Sequence, residues 1–183
     1  MATPAAGPVR TIPYEVHRLA IAIDVGFEEF RDRYEQAVPL VDQDRFQSLI
    51  RADADWEQVQ RASAYRHDLA LFWRLDVGAV MRLADDPPRC VQYLMGNVVI
   101  AERMYRHDPS VMLYAPLRVL IHEDGNGRTW FTVDQPSRQF ASFGIPAIRA
   151  VGIELDRKLA RLLAFLNAPV PSALTAGTAS GGS

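Results

Sequence analysis

The chain is poor in the residues and patterns that mark several large classes of protein. Its 183 residues include a single cysteine, Cys90, which excludes an internal disulfide and favours a reducing, cytoplasmic environment. It contains no run of about 18 apolar residues, so we expect no membrane-spanning helix, and its first residues lack the apolar core of a secretory signal. Chain length and composition instead suit one globular domain with a sizeable core.

Lysine is also almost absent. Lys158 is the only lysine among 20 basic residues, and the arginines are spread along the whole chain. The formal net charge is −2. Because a basic patch is the usual mark of a nucleic-acid-binding protein, the sequence predicts neither a nucleic acid nor a membrane surface as a partner.

The sequence lacks the residue spacings that are typical of metal sites and of catalytic nucleophiles. The four histidines, at positions 17, 67, 107 and 122, are far apart, and no second cysteine is present to complete a zinc site. Cys90 fits a packed small hydrophobe better than a nucleophile, and the chain has neither a serine nucleophile elbow nor a phosphate-binding loop. The sequence therefore predicts no metal and no cofactor.

Composition changes at both ends of the chain. Residues 1–13 are rich in small residues and proline, and residues 167–183 are uncharged and rich in Pro, Ala, Gly and Ser. Such composition is typical of segments that lack a packed core. We expect a flexible arm at 1–13, a single domain at 14–166 and a disordered tail at 167–183.

Between these ends the sequence alternates strand and helix patterns. Period-two alternation of apolar residues indicates strands, and helical spacing indicates helices. The predicted strands lie at 16–24, 69–75, 90–95, 116–123 and 129–134, and the helices at 27–38, 43–64, 97–107 and from 145 onward. Within 43–64, Asp55 is placed to begin a separate helix. This order predicts an α+β fold: a mainly antiparallel sheet of about five strands with helices packed on one face and an extra N-terminal helix.

The strands at 116–123 and 129–134 form the clearest hairpin, since strong turn residues separate them. A three-residue turn over 125–127 pairs Ile121 with Phe131 and Val119 with Val133. A two-residue turn would instead mix apolar and polar faces. Because register follows the hydrophobic pattern where one face is buried, we expect the three-residue turn.

The same register determines which side chains share the opposite face. It places His122 opposite Trp130 and Arg118 opposite Asp134, with Cβ atoms about 5 Å apart. We expect this open face of the sheet to combine aromatic, basic and acidic groups.

Alternation along 69–75 adds two more residues to that face. It assigns Leu71, Trp73 and the residues two positions away from them to one side of the strand, and Phe72 and Arg74 to the other side. We expect Phe72 and Arg74 to lie on the open face, where the register leaves Arg74 without a partner.

A first hypothesis places a small-molecule site on the open face. His122 is the candidate acid or base, because imidazole titrates near neutral pH. Arg74 and Arg118 are candidates to hold an anionic group, and Phe72 and Trp130 to form apolar walls. Asp134 and Tyr93 complete the predicted ligand-binding set. This hypothesis describes a module that binds a small organic ligand, or a metal-independent enzyme of the isomerase or cyclase type.

A second hypothesis makes the protein a non-catalytic, homodimeric interaction protein. The open face is then the dimer interface, and Trp130 and Phe72 are its anchors, because aromatic residues are enriched in such surfaces. His122 is then an interface residue stacked on Trp130. Arg118 and Asp134 form a structural ion pair.

The second half of the chain, mainly residues 89–166, resembles the domain of unknown function 302 family. The resemblance is carried by three segments: YLMGNVVIAERMYRHDP, LYAPLRVLIHEDGNGRTWFTVDQPS and LDRKLARLL. Asn97, Asp108–Pro109, Pro116 and Gln135–Pro136 stand where the family places its turns, although the family's usual Asn-Pro is Asn97–Val98 here. The resemblance implies a β-α-β(4)-α fold, similar to TATA-binding-protein and helix-grip architectures, and homodimers. It implies no settled activity and no catalytic residue.

Overall fold

Five antiparallel strands form one sheet in a computed structural model that describes residues 9–176. The strands are β1 (Arg18–Ile23), β2 (Ala70–Asp76), β3 (Cys90–Gly96), β4 (Leu117–Glu123) and β5 (Thr129–Asp134). Their order across the sheet is β1-β5-β4-β3-β2, and each neighbouring pair is antiparallel. The predicted α+β fold with a five-stranded, antiparallel sheet is confirmed.

The described residues also form seven α-helices. These are α1 (Phe27–Ala37), α2 (Gln43–Arg51), α3 (Trp56–Ala62), α4 (Val77–Met81), α5 (Val98–Tyr105), α6 (Pro136–Ala141) and α7 (Pro146–Phe165). The single helical stretch predicted at 43–64 is two helices, and Asp55 and Gln58 form a capping box at the start of α3. None of the helices within residues 9–176 has both the length and the apolar character that a bilayer crossing requires.

The hydrophobic core lies between the helices and one face of the sheet. Alternate strand residues such as Ile121 and Phe131 are fully buried. Helix α1 packs on them through Phe30 and Tyr34, whose rings meet Phe131 edge-on at centroid distances of 6.2 and 5.7 Å. Helix α7 adds a buried apolar stripe that includes Leu159. This face is apolar because every second residue of the strands is apolar, as predicted, and the helices bury it.

The β4–β5 hairpin has the predicted register. Ile121 pairs with Phe131 and Val119 with Val133. The turn spans residues 125–127 and is closed by a 3.0 Å hydrogen bond from the Asp124 backbone N–H to the Arg128 carbonyl. Gly127 has φ 76°, a left-handed conformation that glycine adopts without strain. The predicted three-residue turn is confirmed.

Strand β2 differs from its predicted facing because it contains a β-bulge. Leu71 pairs with Met95, but the next pair is Trp73 with Leu94, so Phe72 has no partner on β3. One extra residue reverses the facing of everything that follows it. Trp73 therefore lies on the open face, and Arg74 lies on the helical side, opposite Tyr93. The prediction that Arg74 faces outward was wrong, because alternation cannot reveal an extra residue.

The segment after α7 is packed where the composition predicted disorder. Ala168 and Leu174 are buried, and Ser172–Leu174 forms a turn of 3₁₀ helix. Gln135 donates a 3.0 Å hydrogen bond from Nε2 to the Ala173 carbonyl. Residues 9–13 of the predicted arm are exposed and have no regular secondary structure. The rest of the predicted arm, residues 1–8, and of the predicted tail, residues 177–183, lies outside the described residues.

Candidate functional site on the open sheet face

The sheet face opposite the helices carries three rows of side chains. Each row runs across the strands and contains residues that pair with one another. The first row contains Arg18, Asp134, Arg118, Leu94 and Trp73, the second Ala20, Thr132, Leu120, Gln92 and Leu75, and the third Ala22, Trp130, His122 and Cys90. None of these residues is fully buried. We call this surface the open face.

The open face contains part of the predicted site. His122, Trp130, Arg118 and Asp134 lie on it, and His122 is paired with Trp130 as predicted. Val119 pairs with Val133. When this register is continued by one residue, Arg118 lies beside Asp134. Arg74 and Tyr93 lie on the helical side, and Phe72 occupies the bulge of β2 beside Gly96.

Tyr93 and Arg74 lie on the helical side and are bound to the same carboxylate. The Tyr93 hydroxyl donates to Glu35 Oε1 at 2.7 Å, and Arg74 Nε donates to the same oxygen at 2.8 Å. Burial, and then the hydrogen bond to Glu35, raises the pKa of Tyr93 well above its usual value. These contacts join α1 to the edge of the sheet. Arg74 therefore has the partner that the sequence did not reveal.

His122 is held by neighbours at both ring nitrogens. Its Nε2 lies 3.2 Å from Thr132 Oγ1, and its Nδ1 lies 3.4 Å from the Glu123 carbonyl oxygen. With the proton on Nδ1, the ring donates to the carbonyl and accepts from the threonine hydroxyl. An incoming ligand would reach Nε2 only by displacing the Thr132 hydroxyl.

Cys90 lies directly across the strand pair from His122, a juxtaposition that the sequence reasoning missed. The signal that could have found it is the β3–β4 register, which joins residues 32 positions apart. Burial, followed by the charge of Asp76, raises the pKa of the Cys90 thiol. A thiol kept protonated in this way is a poor nucleophile, so the pair lacks the activation of a catalytic Cys–His dyad.

Trp130 presents a fixed apolar surface. Its indole Nε1 donates to Asp124 Oδ2 at 3.0 Å, and the Arg128 guanidinium carbon lies 5.5 Å from the ring centroid. The indole hydrogen bond, and then the backbone N–H groups of Arg128 and Asn126, lower the pKa of Asp124. Because its only donor is occupied within the protein, Trp130 offers apolar contact to a partner.

The first row carries alternating charge across three strands: Arg18, Asp134 and Arg118. Asp134 is the register partner of Arg18. Within residues 9–176, none of the three makes an ion pair closer than 4.0 Å. The predicted structural ion pair between Arg118 and Asp134 is therefore not formed, and the three charges face outward.

The open face lacks the concavity of a small-molecule site. The five pockets formed most clearly by residues 9–176 have no wall on it, whereas small-molecule sites are normally concave. Across the described chain, no group of three or more His, Cys, Asp or Glu side chains is arranged to hold a metal ion. A surface without such a pocket that carries apolar and charged side chains is suited to contact with another protein.

Comparisons with known proteins agree with the fold. A crystal structure of an uncharacterized conserved protein DUF302 from Bacillus stearothermophilus matches 80% of this chain and 95% of its own, with a TM-score of 0.58 and 14% sequence identity. No curated protein matches this chain. Residues 51–166, more than half of the chain, match the family described as "Domain of unknown function DUF302". The protein therefore belongs to the DUF302 family.

Proposed function

We propose that the open face is a protein-binding surface, and that its partner is a second copy of this chain. The observation that carries this proposal is the combination, on one face of the sheet, of exposed apolar side chains and unpaired charges of both signs. Dimer formation through this face would make the protein an interaction module.

The apolar part of the open face lies on strands β2, β3 and β4. Trp73 and Leu75 are 40% and 42% exposed. Leu94 is the neighbour of Trp73 in the first row, and Leu120 lies in the second row, separated from Leu75 by Gln92. Large apolar residues that cluster on a surface mark interaction sites more often than isolated ones do. Trp73 has the size and rigidity of an interface anchor.

The charged part of the face is complementary to itself. Its row of arginine, aspartate and arginine alternates in sign from one strand to the next. A second copy related by a twofold axis and displaced by about one strand spacing would set one arginine of each copy against the aspartate of the other. An isologous interface requires this kind of self-complementarity.

The size of the face is compatible with a small dimer interface. Five strands of six or seven residues cover about 24 Å by about 20 Å, on the order of 500 Å² in projection. Protruding side chains make the accessible area larger than its projection. A standard interface takes ~800 Å² from each partner.

Sedimentation velocity tests this proposal. We expect the unmodified protein to sediment as a dimer and Trp73→Asp to sediment as a folded monomer. Leu83→Asp is the matched control, because Leu83 is 88% exposed and lies in the 3₁₀ helix Arg82–Ala84, outside the three rows of the open face. A monomeric unmodified protein, or a Trp73→Asp variant that remains dimeric, would refute the proposal.

A second candidate function is a small-ligand site around His122. It is supported by the adjacent placement of His122, Trp130 and Thr132 on the open face. Arg118 is then the residue available for an anionic group, because Arg74 is bound to Glu35. Small-molecule binding and metal-independent acid/base chemistry both remain proposals for this site.

Native mass spectrometry of the purified protein tests this candidate. We expect a co-purified organic compound on the unmodified protein and its loss from His122→Ala, with little change in melting temperature. His122→Asn keeps hydrogen-bonding capacity without an imidazole and separates binding from proton transfer. An identical compound on the unmodified and His122→Ala proteins would refute a role for His122, as would its absence from both.

A further inference from the structure

A cavity of about 120 Å³ lies on the helical side, where the end of β3 meets α5. Its walls come from the bulge of β2, from helices α5, α6 and α7, and from the 3₁₀ helix Pro109–Leu113. Among its lining residues are Phe72, Met95, Met104, Met112, Phe140 and Leu155. Phe72, the unpaired residue of the β2 bulge, is thus one wall of this cavity.

The exposed walls of the cavity are wholly apolar. Asn97 is the one polar side chain among the lining residues, and its amide is already used. Its Oδ1 accepts from the Val99 N–H at 2.9 Å, and its Nδ2 donates to the carbonyls of Ser63 and Asp68, each at 3.1 Å. No hydrogen-bonding group of Asn97 is therefore left for an occupant.

A cavity with this lining is unfavourable for water. A buried water requires two to four polar partners, and apolar cavities remain dry for lack of them. In another protein, a dry apolar cavity of about 150 Å³ binds benzene. The volume here is of the same order, so it fits one aromatic ring or a comparable hydrocarbon.

The cavity also has a route to solvent. Met112, in its outer wall, is 46% exposed, whereas Met95, Met104 and Phe140, in its inner wall, are at most 1% exposed. Methionine side chains are flexible and adapt to the shape of apolar ligands. Met112 is therefore the lining residue beside which we expect a ligand to enter.

We propose that this cavity is a binding site for a small uncharged apolar molecule of about the size of benzene. This proposal is independent of the dimer. The absence of a free polar group in the lining makes the site selective, because a hydroxyl carried into it would lose its hydrogen bonds to water. Phenol should therefore bind more weakly than benzene.

Methyl NMR of protein labelled at methionine tests the site directly. On titration with benzene we expect saturable shifts of the Met95, Met104 and Met112 methyl signals. Met81, which lies in α4 and lines none of the cavity walls, serves as the internal control. We expect at least tenfold weaker binding of phenol.

A cavity-filling variant locates the site. Ala101 lies on α5 and lines the cavity, and leucine is a good helix former. Ala101→Leu should weaken benzene binding at least tenfold, whereas Ala147→Leu, an exposed position on α7, should leave it unchanged.

Four results would overturn the proposal. The first is the absence of saturable shifts in the unmodified protein, and the second is a shift of Met81 equal to the others. The third is undiminished binding by a folded Ala101→Leu variant. The fourth is an equal affinity of the unmodified protein for benzene and phenol, and this comparison decides if that variant does not fold.

Discussion

Asn97 ties the start of α5 to the segment that precedes β2, and its replacement by alanine should destabilise the protein strongly. The side chain is 8% exposed. It caps α5 by accepting from the Val99 N–H, and it donates to the carbonyls of Ser63 and Asp68. Asn97→Ala removes all three hydrogen bonds while leaving the backbone unchanged.

The expected magnitude follows from these contacts. Loss of a side-chain N-cap costs about 1 kcal/mol. Two carbonyls left without their donor cost about 1 kcal/mol each. Asn97→Ala should therefore lower the free energy of unfolding by about 3 kcal/mol, which lowers the melting temperature by roughly 6–12 °C for a domain of this size. Asn97→Ser keeps an oxygen for the cap but cannot reach both carbonyls, so it should cost about 2 kcal/mol.

Urea denaturation followed by far-ultraviolet circular dichroism measures both variants. We expect the midpoint to fall in the order unmodified, Asn97→Ser, Asn97→Ala, with an unchanged slope. An Asn97→Ala variant within about 0.5 kcal/mol of the unmodified protein would refute the reasoning, since surface substitutions have effects of that size.

Three further substitutions test contacts elsewhere in the fold. Leu174→Ala should cost at least about 2 kcal/mol in urea denaturation, whereas Val170→Ala, at a position 39% exposed, should cost less than about 0.5; equal effects would mean that the last turn is not packed. Arg89 lowers the pKa of Glu123. The free energy of unfolding of the unmodified protein should therefore exceed that of Glu123→Gln at pH 7, and this difference should disappear as the pH falls through the lowered pKa. A difference in the free energy of unfolding that persists at pH 2 would contradict this. Tyr93→Phe should lower the free energy of unfolding by about 1–2 kcal/mol, because it removes a buried hydrogen bond to a carboxylate; thermal unfolding that is unchanged would show that this bond contributes nothing.

The β4–β5 hairpin was predictable because three independent signals agree there. Its turn residues, the alternation of Val119 and Ile121, and the matching alternation of Phe131 and Val133 allow a single register. That register also fixed the His122–Trp130 pair, since side chains alternate strictly along a regular strand.

Strand β2 was not predictable to the same degree. Nothing in the letters around Phe72 distinguishes a bulge from a regular strand, because bulges depend on what the neighbouring strand and the core require. The sequence therefore predicted the wrong side of the sheet for both Trp73 and Arg74. The pairing of Arg74 with Glu35 joins residues 39 positions apart, and a single sequence carries no signal for such a contact.

Contacts between distant segments account for the remaining differences. Cys90 and His122 are neighbours only because β3 and β4 pair. Leu174 lies in a stretch whose composition is typical of disorder, yet it is 1% exposed because a groove beside α7 accommodates one apolar side chain. Composition describes the average of a segment, whereas burial depends on single residues.

The bulge at Phe72 determines the chemical character of the edge of the sheet. If Phe72 alone were deleted, Leu71 and Trp73 would become adjacent and pair with the adjacent Met95 and Leu94, so the indole and the guanidinium would keep their present sides. If instead the strand kept Phe72 but paired without the bulge, Phe72 would face Leu94, the guanidinium would point out of the open face and the indole towards α1. A single unpaired residue thus gives this margin of the sheet an apolar surface where regular alternation would have made it cationic.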